Sequence, residues 1–449
     1  MHYDVLDTST TIVAPATAAG GATMVVRLSG NKAINIADAM FRGHMPLSEA
    51  KGYTLHYGNI VRPTGEVIDD VVVALFRAPH SYTGDDTVEI TLHGSEYITS
   101  ETLRLAIEHG ATMATPGEFT RRAFLAGKMD LSRAEAVADI IASDSKWSHH
   151  VAATQMRGGY SERLMGLRSE LLRLCSLLEL ELDFSEEDVE FADRSELLSA
   201  LNTIEKEIDS LCSSFSLGNT LKNGVNVAIV GEPNVGKSTL LNTLIEDDRA
   251  MVSDIAGTTR DTIEATTIID GIRYRFVDTA GIHTTDDRLE QMGIDRSYRA
   301  IANAHIILHL ATVECPEFAP IEINTNQRYI RVINKIDTTT STNTADDMLH
   351  ISAKNNVGID ALRQLLREMT DTSQLGAGSI VVSNMRHYAS LKSAREALCD
   401  ARRAMRNSLP TDLISEDLRR VIHHLGEITG DITSDDILQS IFSKFCIGK

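Results

Sequence analysis

The residues with the clearest chemical signature form the run GEPNVGKST at 231–239, which directly follows an apolar stretch. Its spacing, GxxxxGK[ST], is typical of a phosphate-binding loop between a strand and a helix. Gly231 and Gly236 allow the backbone to wrap around a phosphate so that N–H groups point at it. We expect Lys237 to reach the β- and γ-phosphates and Ser238 to bind Mg²⁺. The predicted nucleotide contacts in this loop are Asn234, Val235, Gly236, Lys237, Ser238 and Thr239.

Two further segments supply groups for a metal-bound triphosphate. YRFVDTAG at 274–281 predicts a strand that ends in Asp278-x-x-Gly281. We expect Asp278 to hold Mg²⁺ through water and the N–H of Gly281 to meet the γ-phosphate. Thr259, which lies between the two motifs, is the candidate for the second hydroxyl ligand of Mg²⁺. The predicted contacts here are Asp278, Thr279, Ala280 and Gly281.

A fourth segment predicts which base is bound. YIRVINKID at 329–337 predicts a strand followed by a carboxylate, Asp337. A carboxylate accepts hydrogen bonds from the ring N–H and exocyclic amine of guanine, whereas adenine offers no such pair. Sites built on such bonds reject the analogue that lacks them by roughly 10⁴–10⁵. HISAK at 350–354 adds a backbone contact. The sequence therefore predicts a GTP site with Asn334, Lys335, Ile336, Asp337, Ser352, Ala353 and Lys354 around the base.

One position excludes the usual way of activating water. Ras-like GTPases orient the attacking water with a glutamine just after the DxxG motif. This chain has Ile282 at that place, and an isoleucine can neither orient water nor stabilise charge. Hydrolysis must therefore recruit another group or a cation.

The rest of the chain predicts the elements that carry these motifs. Residues 1–118 mix strand patterns, at 24–30 and 67–76, with one helix at 95–110, which indicates an α+β domain. Residues 119–217 and 384–449 have helical periodicity. We therefore predict an α/β multidomain protein with a helical domain, 119–217 plus 384–449, that is interrupted by the nucleotide-binding domain, 218–383. Linkers are expected near Gly218–Gly224 and Ser373–Asn384.

Composition sets outer limits on this interpretation. The chain has 449 residues, which corresponds to roughly three domains at about 150 residues each. Hydrophobic residues make up 43% and charged residues 24%, which excludes a disordered or collagen-like chain. The net charge of −20 argues against a broad nucleic-acid-coating surface. Five cysteines without CxxC spacing and a start without a secretory pattern predict a soluble, cytoplasmic protein.

The motifs and both ends of the chain resemble the tRNA-modification GTPase (MnmE, or TrmE) family. The resemblance covers the nucleotide motifs, SYTGDDTVEITLHG at 81–94, PGEFTRRAFLAGKMDLSRAEAVADII at 116–141 and the terminal FCIGK. It implies an N-terminal domain that binds folate and forms a homodimer, a helical domain, and an inserted Ras-like P-loop GTPase domain. It also implies a heterotetramer with the flavoprotein MnmG. That complex adds a carboxymethylaminomethyl-type group at C5 of the tRNA wobble uridine, with a one-carbon unit from a tetrahydrofolate derivative.

The same resemblance implies specific site residues. The folate would be bound by Arg27, Glu89, Lys128, Cys446 and Lys449. A K⁺ ion would replace an arginine finger, bound by Asn234, Ser253, Ile255 and Thr258. The loop over the nucleotide would comprise Ser253, Asp254, Ile255, Ala256, Gly257, Thr258 and Thr259, and the water-positioning carboxylate would be Glu290.

Alternatives remain open at this stage. The chain could be a ribosome-assembly or regulatory GTPase switch without a group-transfer role, although its C-terminal helices lack the basic face that such a protein needs. The folate residues could form ordinary surface ion pairs, and Cys446 could be a small buried hydrophobe. Trp147, the only tryptophan, is expected to pack against other residues rather than to stack on RNA.

Overall fold

The computed structural model describes residues 9–183, 194–246, 264–278, 298–338, 348–370, 379–407 and 409–449. The chain divides into two compact units. The first comprises Met1–Ala138, Gln155–Leu201 and Glu396–Lys449, and the second comprises Asp139–Thr154 and Asn202–Arg395.

Helices and strands are found in both units. The strands are β1 (Ile12–Pro15), β2 (Thr23–Ser29), β3 (Phe41–Gly43), β4 (Thr54–Val61), β5 (Val67–Phe76), β6 (Thr87–His93), β7 (Thr112–Met113), β8 (Val225–Gly231), β9 (Glu264–Ile269), β10 (Ile272–Asp278), β11 (Ile306–Thr312), β12 (Arg328–Asn334) and β13 (Leu349–His350). The helices are α1 (Ala33–Met40), α2 (Glu96–Glu108), α3 (Glu118–Leu125), α4 (Leu131–Ala142), α5 (Lys146–Met156), α6 (Gly159–Asp183), α7 (Arg194–Asn223), α8 (Lys237–Glu246), α9 (Ile359–Met369), α10 (Met385–Arg406), α11 (Thr411–Thr429) and α12 (Asp435–Phe442). Short 3₁₀ helices lie at Leu47–Glu49 and Ile336–Thr338.

The first unit contains a seven-stranded sheet with the order β3-β4-β5-β6-β2-β1-β7. Alternate residues of β5, such as Val71 and Val73, are buried in the cluster to which α1 and α2 contribute. This period of two is what a strand with one buried face requires. The predicted strands at 24–30 and 67–76 and the helix at 95–110 are confirmed to within a few residues.

The other face of this sheet carries polar and exposed apolar side chains. Arg27 on β2 lies opposite Glu89 on β6, and Glu89 lies opposite Ala74 on β5. Ala74 in turn lies opposite Leu55 on β4, so these side chains share one row across one face. Leu55 and the neighbouring Tyr57 are 73% and 71% exposed. Two of the predicted folate residues therefore lie on this second face of the sheet, in one row with exposed Leu55.

The C-terminal end of the chain is anchored in the first unit. Ser434 caps α12 by accepting a hydrogen bond from the backbone N–H of Ile437. Phe442 and Phe445 then pack with Leu131 of α4 in one buried cluster. This packing fixes where the last residues of the chain emerge.

The second unit contains a six-stranded sheet with the order β13-β12-β11-β8-β10-β9. All its neighbours pair in parallel except β9, which is antiparallel to β10. β8 and β11 read as apolar runs because helices and loops cover both faces of a parallel sheet. The nucleotide motifs follow the carboxyl ends of β8, β10 and β12, where ligands bind in open α/β sheets.

The linker expected at Gly218–Gly224 is wrong. Helix α7 continues through Asn223, because Leu217 and Leu221 extend its apolar face into the core of the second unit. Gly218 is a contact position rather than a hinge, since a Cβ there would overlap the carbonyl oxygen of Val382. The other linker, Ser373–Asn384, lies partly outside the described residues, and its described part has no regular secondary structure.

Trp147 packs against the core of the second unit, as predicted, and its ring makes an edge contact with His150. In the described ranges no helix combines the length and the apolar character needed to cross a membrane.

Candidate nucleotide and folate sites

The phosphate-binding loop joins β8 to α8 and is closed by its own lysine. The Nζ of Lys237 is buried and donates to the carbonyl oxygens of Gly231, at 2.8 Å, and Glu232, at 3.1 Å. These contacts hold the ammonium group over the loop at the first residue of α8, where backbone N–H groups attract a phosphate. The geometry therefore suits the predicted role of Lys237.

Two positions of the loop need left-handed backbone conformations. Gly236 has a φ of +96°, and a Cβ there would overlap the amide nitrogen of Asn334. Asn234 has a φ of +64°, which asparagine tolerates better than most residues, and its side chain is exposed. The Asn234 amide is thus held on the outer side of the loop.

Asn334 connects the phosphate-binding loop to the base-binding segments. It is only 2% exposed, its Nδ2 donates to the carbonyl oxygen of Val235 at 2.8 Å, and its Oδ1 accepts from the N–H of Ala353 at 3.0 Å. The amide nitrogen and the amide oxygen of one side chain therefore hold two loops together, and both loops belong to the predicted GTP site.

Asp337 presents its carboxylate at the surface. Ser352 donates a 2.5 Å hydrogen bond to its Oδ1, and this bond lowers the pKa of Asp337 below the ordinary value of 3.8. The charged form is therefore favoured, as recognition of two guanine N–H groups requires. The structure brings together Asn334, Lys335, Ile336, Asp337, Ser352, Ala353 and Lys354 as the sequence predicts them.

Thr243 of α8 is a site residue that sequence reasoning missed. Its hydroxyl lies 2.9 Å from the carbonyl oxygens of both Ala353 and Thr239. It therefore ties the helix behind the phosphate-binding loop to the loop that contacts the base. No sequence signal marks it, because threonine is common on helices and its partner is 110 residues away.

Several predicted residues lie outside the described residues. These are Ser253, Asp254, Ile255, Ala256, Gly257, Thr258, Thr259, Thr279, Ala280, Gly281 and Glu290. Of Asp278 only the backbone is described, at the end of β10 opposite Ile229 of β8. Ser238 is exposed on the first turn of α8, so of the predicted Mg²⁺ ligands it alone is described with its side chain.

The predicted folate residues Arg27 and Glu89 form an ion pair. Glu89 Oε1 accepts from both Nε and Nη2 of Arg27 at 2.8 Å, and the Arg27 side chain is 14% exposed. The guanidinium lies 5.8 Å from the ring centre of Tyr82 and 5.5 Å from that of Phe119. Both side chains are thus partly buried, with the guanidinium between aromatic rings, which differs from an ordinary surface ion pair.

Lys128 reaches the loop that follows β5. Its Nζ donates to the carbonyl oxygen of Pro79, and its Cε would be 3.3 Å from a Cβ at Gly84, whose φ is +88°. Tyr82, which borders Arg27, belongs to the same loop. The structure therefore places both Lys128 and Arg27 against one loop, residues 79–84.

The end of the chain also reaches this site. Nη1 of Arg27 donates to the carbonyl oxygen of Gly448 at 3.1 Å. Gly448 has a φ of +96°, and a Cβ there would overlap the carbonyl oxygen of Pro15. Cys446 and Lys449 flank this glycine, so the predicted residues are brought together. Cys446 is exposed, so the alternative of a buried hydrophobe is wrong.

Comparison with known proteins gives matches along the whole chain. Residues 11–128 match the family model of the GTP-binding protein TrmE N-terminus, and residues 131–446 match that of the MnmE helical domain. A tRNA modification GTPase MnmE from Cytophaga hutchinsonii is 46% identical over 98% of both chains. One from Parabacteroides distasonis is 48% identical over 98% of this chain and 100% of its own.

Among solved structures, a variant of Era from Aquifex aeolicus bound to GDP and aluminium fluoride is 24% identical. The match covers 38% of this chain and 65% of that chain, with a TM-score of 0.25. The fold class rests instead on the strand order, the motifs and the two family models. An N-terminal α+β domain, a helical domain and a P-loop GTPase domain in one chain are the features of one family, and this protein belongs to the MnmE family of tRNA modification GTPases.

Proposed function

We propose that this GTPase works with the flavoprotein MnmG on tRNA and adds a carboxymethylaminomethyl-type group at C5 of the wobble uridine. A tetrahydrofolate derivative, bound in the N-terminal domain, supplies the one-carbon unit. The observation that carries this proposal is the partly buried pair of Arg27 and Glu89, which touches the C-terminal tail at Gly448. A GTPase that acted only as a switch would have no use for such a site.

The residues of this pair fit a folate by their chemistry. Within the part of the chain that the structure describes, Glu89 Oε1 takes the bonds from Arg27, and no hydrogen bond reaches Oε2. Oε2 can therefore accept from the ring N–H and amine of a pterin. Phe119 is fully buried behind the Arg27 guanidinium, whereas the ring of Tyr82 is partly exposed beside it. Lys128 and Lys449 offer positive charge for the glutamyl carboxylates. Cys446 lies exposed at the same tail.

We propose that the protein is a homodimer formed through residues 1–118. The exposed face of the first unit's sheet supports this, since Leu55, Tyr57 and Val72 lie side by side on β4 and β5. Exposed apolar groups of this size commonly mark an interface. Because Glu89 lies in the same row as Leu55, a second copy on this face would also shield the folate from water.

The nucleotide chemistry follows from the GTP site. We propose that Ser238 and Thr259 hold Mg²⁺, and that Asn234, Ser253, Ile255 and Thr258 hold K⁺. The exposed amide of Asn234 supports the K⁺ site, because hard cations bind amide and carbonyl oxygens. A bound cation offsets the charge that develops on the phosphates. Glu290 would position the attacking water where Ile282 cannot.

The proposal keeps the domain boundaries 1–118, 119–217 plus 384–449, and 218–383, and places the protein in the cytoplasm. It is tested by mass spectrometry of wobble-uridine nucleosides in tRNA from a strain that lacks this gene. We expect the modified nucleoside to disappear, to return with the parent gene, and to stay absent with Arg27→Ala. Unchanged wobble uridines in the deletion strain would overturn the proposal and would favour a GTPase switch.

A further inference from the structure

The corner between α4 and α5, residues 139–148, packs against the sheet of the second unit. The N–H of Trp147 donates to the carbonyl oxygen of Gly271, in the turn between β9 and β10, at 3.2 Å. Val151 of α5 is 4% exposed and belongs to the core cluster of that unit. Residues 139–154 are therefore built into the body that binds the nucleotide.

Two ion pairs connect this corner to the N-terminal ends of two neighbouring strands, β8 and β10. Nζ of Lys222, in the last turn of α7, lies 2.6 Å from Oδ2 of Asp139. Only two residues separate Lys222 from β8. Arg273, the second residue of β10, pairs with Asp144. One short corner thus holds the starts of both β8 and β10.

These N-terminal ends lie at the edge of the sheet opposite the predicted nucleotide site. β8 and β10 are parallel, with Val225 opposite Tyr274, and their far ends lead into the phosphate-binding loop and the Asp278–Gly281 motif. The γ-phosphate contacts the second of these motifs. Lys237, after β8, is expected to meet both the β- and γ-phosphates, so GDP still occupies that loop, whereas the motif after β10 is expected to meet only the γ-phosphate. Gain or loss of that phosphate therefore acts mainly on the far end of β10.

The corner has room to change its pairing. A cavity of about 130 Å³ lies beside the ion pairs and is lined by Asp139, Ser143, Ser148, Lys222, Asn223 and Arg273 among others. Nε of Arg273 is buried and has no hydrogen-bond partner among the described residues. The aliphatic part of Arg273 lies over Gly224, whose Cβ position would be 3.2 Å from Cδ. The side chain is therefore confined, but its polar groups are not all bonded.

We propose that Asp139, Asp144, Lys222 and Arg273 are positioning residues that couple the nucleotide state to residues 139–154. Packed strands with two discrete arrangements transmit such coupling, and substitutions along them change it by amounts that correspond to about 2- to 30-fold. The corner senses the position of β10 relative to β8 through the two ion pairs. This inference requires GTP binding but no tRNA chemistry.

The test is hydrogen exchange of the full-length protein with bound GDP and with a non-hydrolysable GTP analogue. We expect the protection of peptides within 139–154 to differ between the two nucleotides. Asp144→Arg should change that difference by about 2- to 30-fold. The swap Asp144→Arg with Arg273→Asp should restore it, because the opposite charges are again adjacent. If Asp144→Arg does not fold, Asp144→Asn removes the charge at the same size.

The matched control is Asp209→Arg, which breaks an ion pair with Arg395 in the same unit. This pair lies away from the N-terminal ends of β8 and β10. It should leave the nucleotide-dependent difference as in the parent. Equal protection in the parent with both nucleotides would overturn the inference, as would a parent-like difference in Asp144→Arg or an equal loss in the control. Loss of tRNA modification does not enter this readout, so failure of the proposed function would be seen separately.

Discussion

Asn334→Ala tests whether one side chain organises the GTP site. The substitution removes the 2.8 Å bond to the carbonyl oxygen of Val235 and the 3.0 Å bond from the N–H of Ala353. Both partner residues are buried, at 6% and 3% exposure. An unsatisfied buried group costs about 1–3 kcal/mol, so the two together cost about 2–6 kcal/mol. Because water that enters the loops offsets part of this cost, the expected penalty lies near the lower end, about 2 kcal/mol.

The substitution therefore destabilises the arrangement of the two loops that binds the nucleotide. If only a fraction of molecules holds both loops in place, the apparent affinity for GTP falls by that fraction. A penalty of 2 kcal/mol corresponds to about 30-fold, so we expect at least that loss in a titration with a fluorescent GTP analogue. Thermal unfolding of the same variant should shift to lower temperature.

The control for this experiment is Asn219→Ala, which removes an exposed hydrogen bond to Asn223 on α7. Surface substitutions of this kind stay within about 0.5 kcal/mol, or roughly twofold in affinity. If Asn334→Ala bound GTP within twofold of the parent, the two hydrogen bonds would not organise the site, and the reasoning would be refuted.

Four further predictions concern the two sites. Asp337→Asn should shift the base preference from guanosine to xanthosine nucleotides, and unchanged GTP affinity would contradict the guanine assignment. Because the pKa of Asp337 is lowered, its carboxylate should contribute to GTP binding above pH 3.8 and lose this contribution only as the pH falls below that value. In a pH titration of binding, Ser352→Ala should move this loss to higher pH. Hydrolysis should be much faster in K⁺ than in Na⁺, and Glu290→Ala should abolish turnover while nucleotide binding persists; equal rates in the two salts would exclude the cation mechanism. Arg27→Ala or Lys128→Ala should weaken folate binding, measured by calorimetry, with GTP hydrolysis unchanged.

The sequence predicts the nucleotide site well because its motifs are local. In GEPNVGKST and NKID, a few adjacent residues set the backbone course, and the parallel sheet brings the ends of their strands together. The local sequence does not predict the contact of Thr243 with Ala353, because that contact depends on how α8 packs. The same holds for Gly448, whose carbonyl meets Arg27 across 421 residues. Contacts of this kind arise from tertiary structure and leave no periodic pattern.

Glycines also give a misleading prediction at one domain boundary, the linker expected at Gly218–Gly224. Gly218 and Gly224 predict a linker by composition, yet only Gly224, with a φ of +94°, has the conformation that ends a helix. Gly218 lies inside α7 because Val382 approaches its backbone closely. The two roles look identical in a sequence, and only packing distinguishes them.

The candidate GTP and folate sites are expected to recognise similar ligand edges, but different groups hold the carboxylate in each site. Guanine and a pterin both present a ring N–H beside an exocyclic amine, and each is expected to meet one carboxylate, Asp337 or Glu89. A neutral donor, the Ser352 hydroxyl, holds Asp337, whereas a cation, the Arg27 guanidinium that lies between two rings, holds Glu89. Asp337 is exposed, and Asn334 ties its segment to the phosphate-binding loop, so the base and the phosphates of one ligand can be held together. Glu89 lies beside Arg27, residues 79–84 and the C-terminal tail, none of which is a phosphate-binding loop, so its ligand is expected to be held through its ring and its distant carboxylates. Because the two ligands share this edge, the phosphates of one and the carboxylates of the other are expected to distinguish the sites.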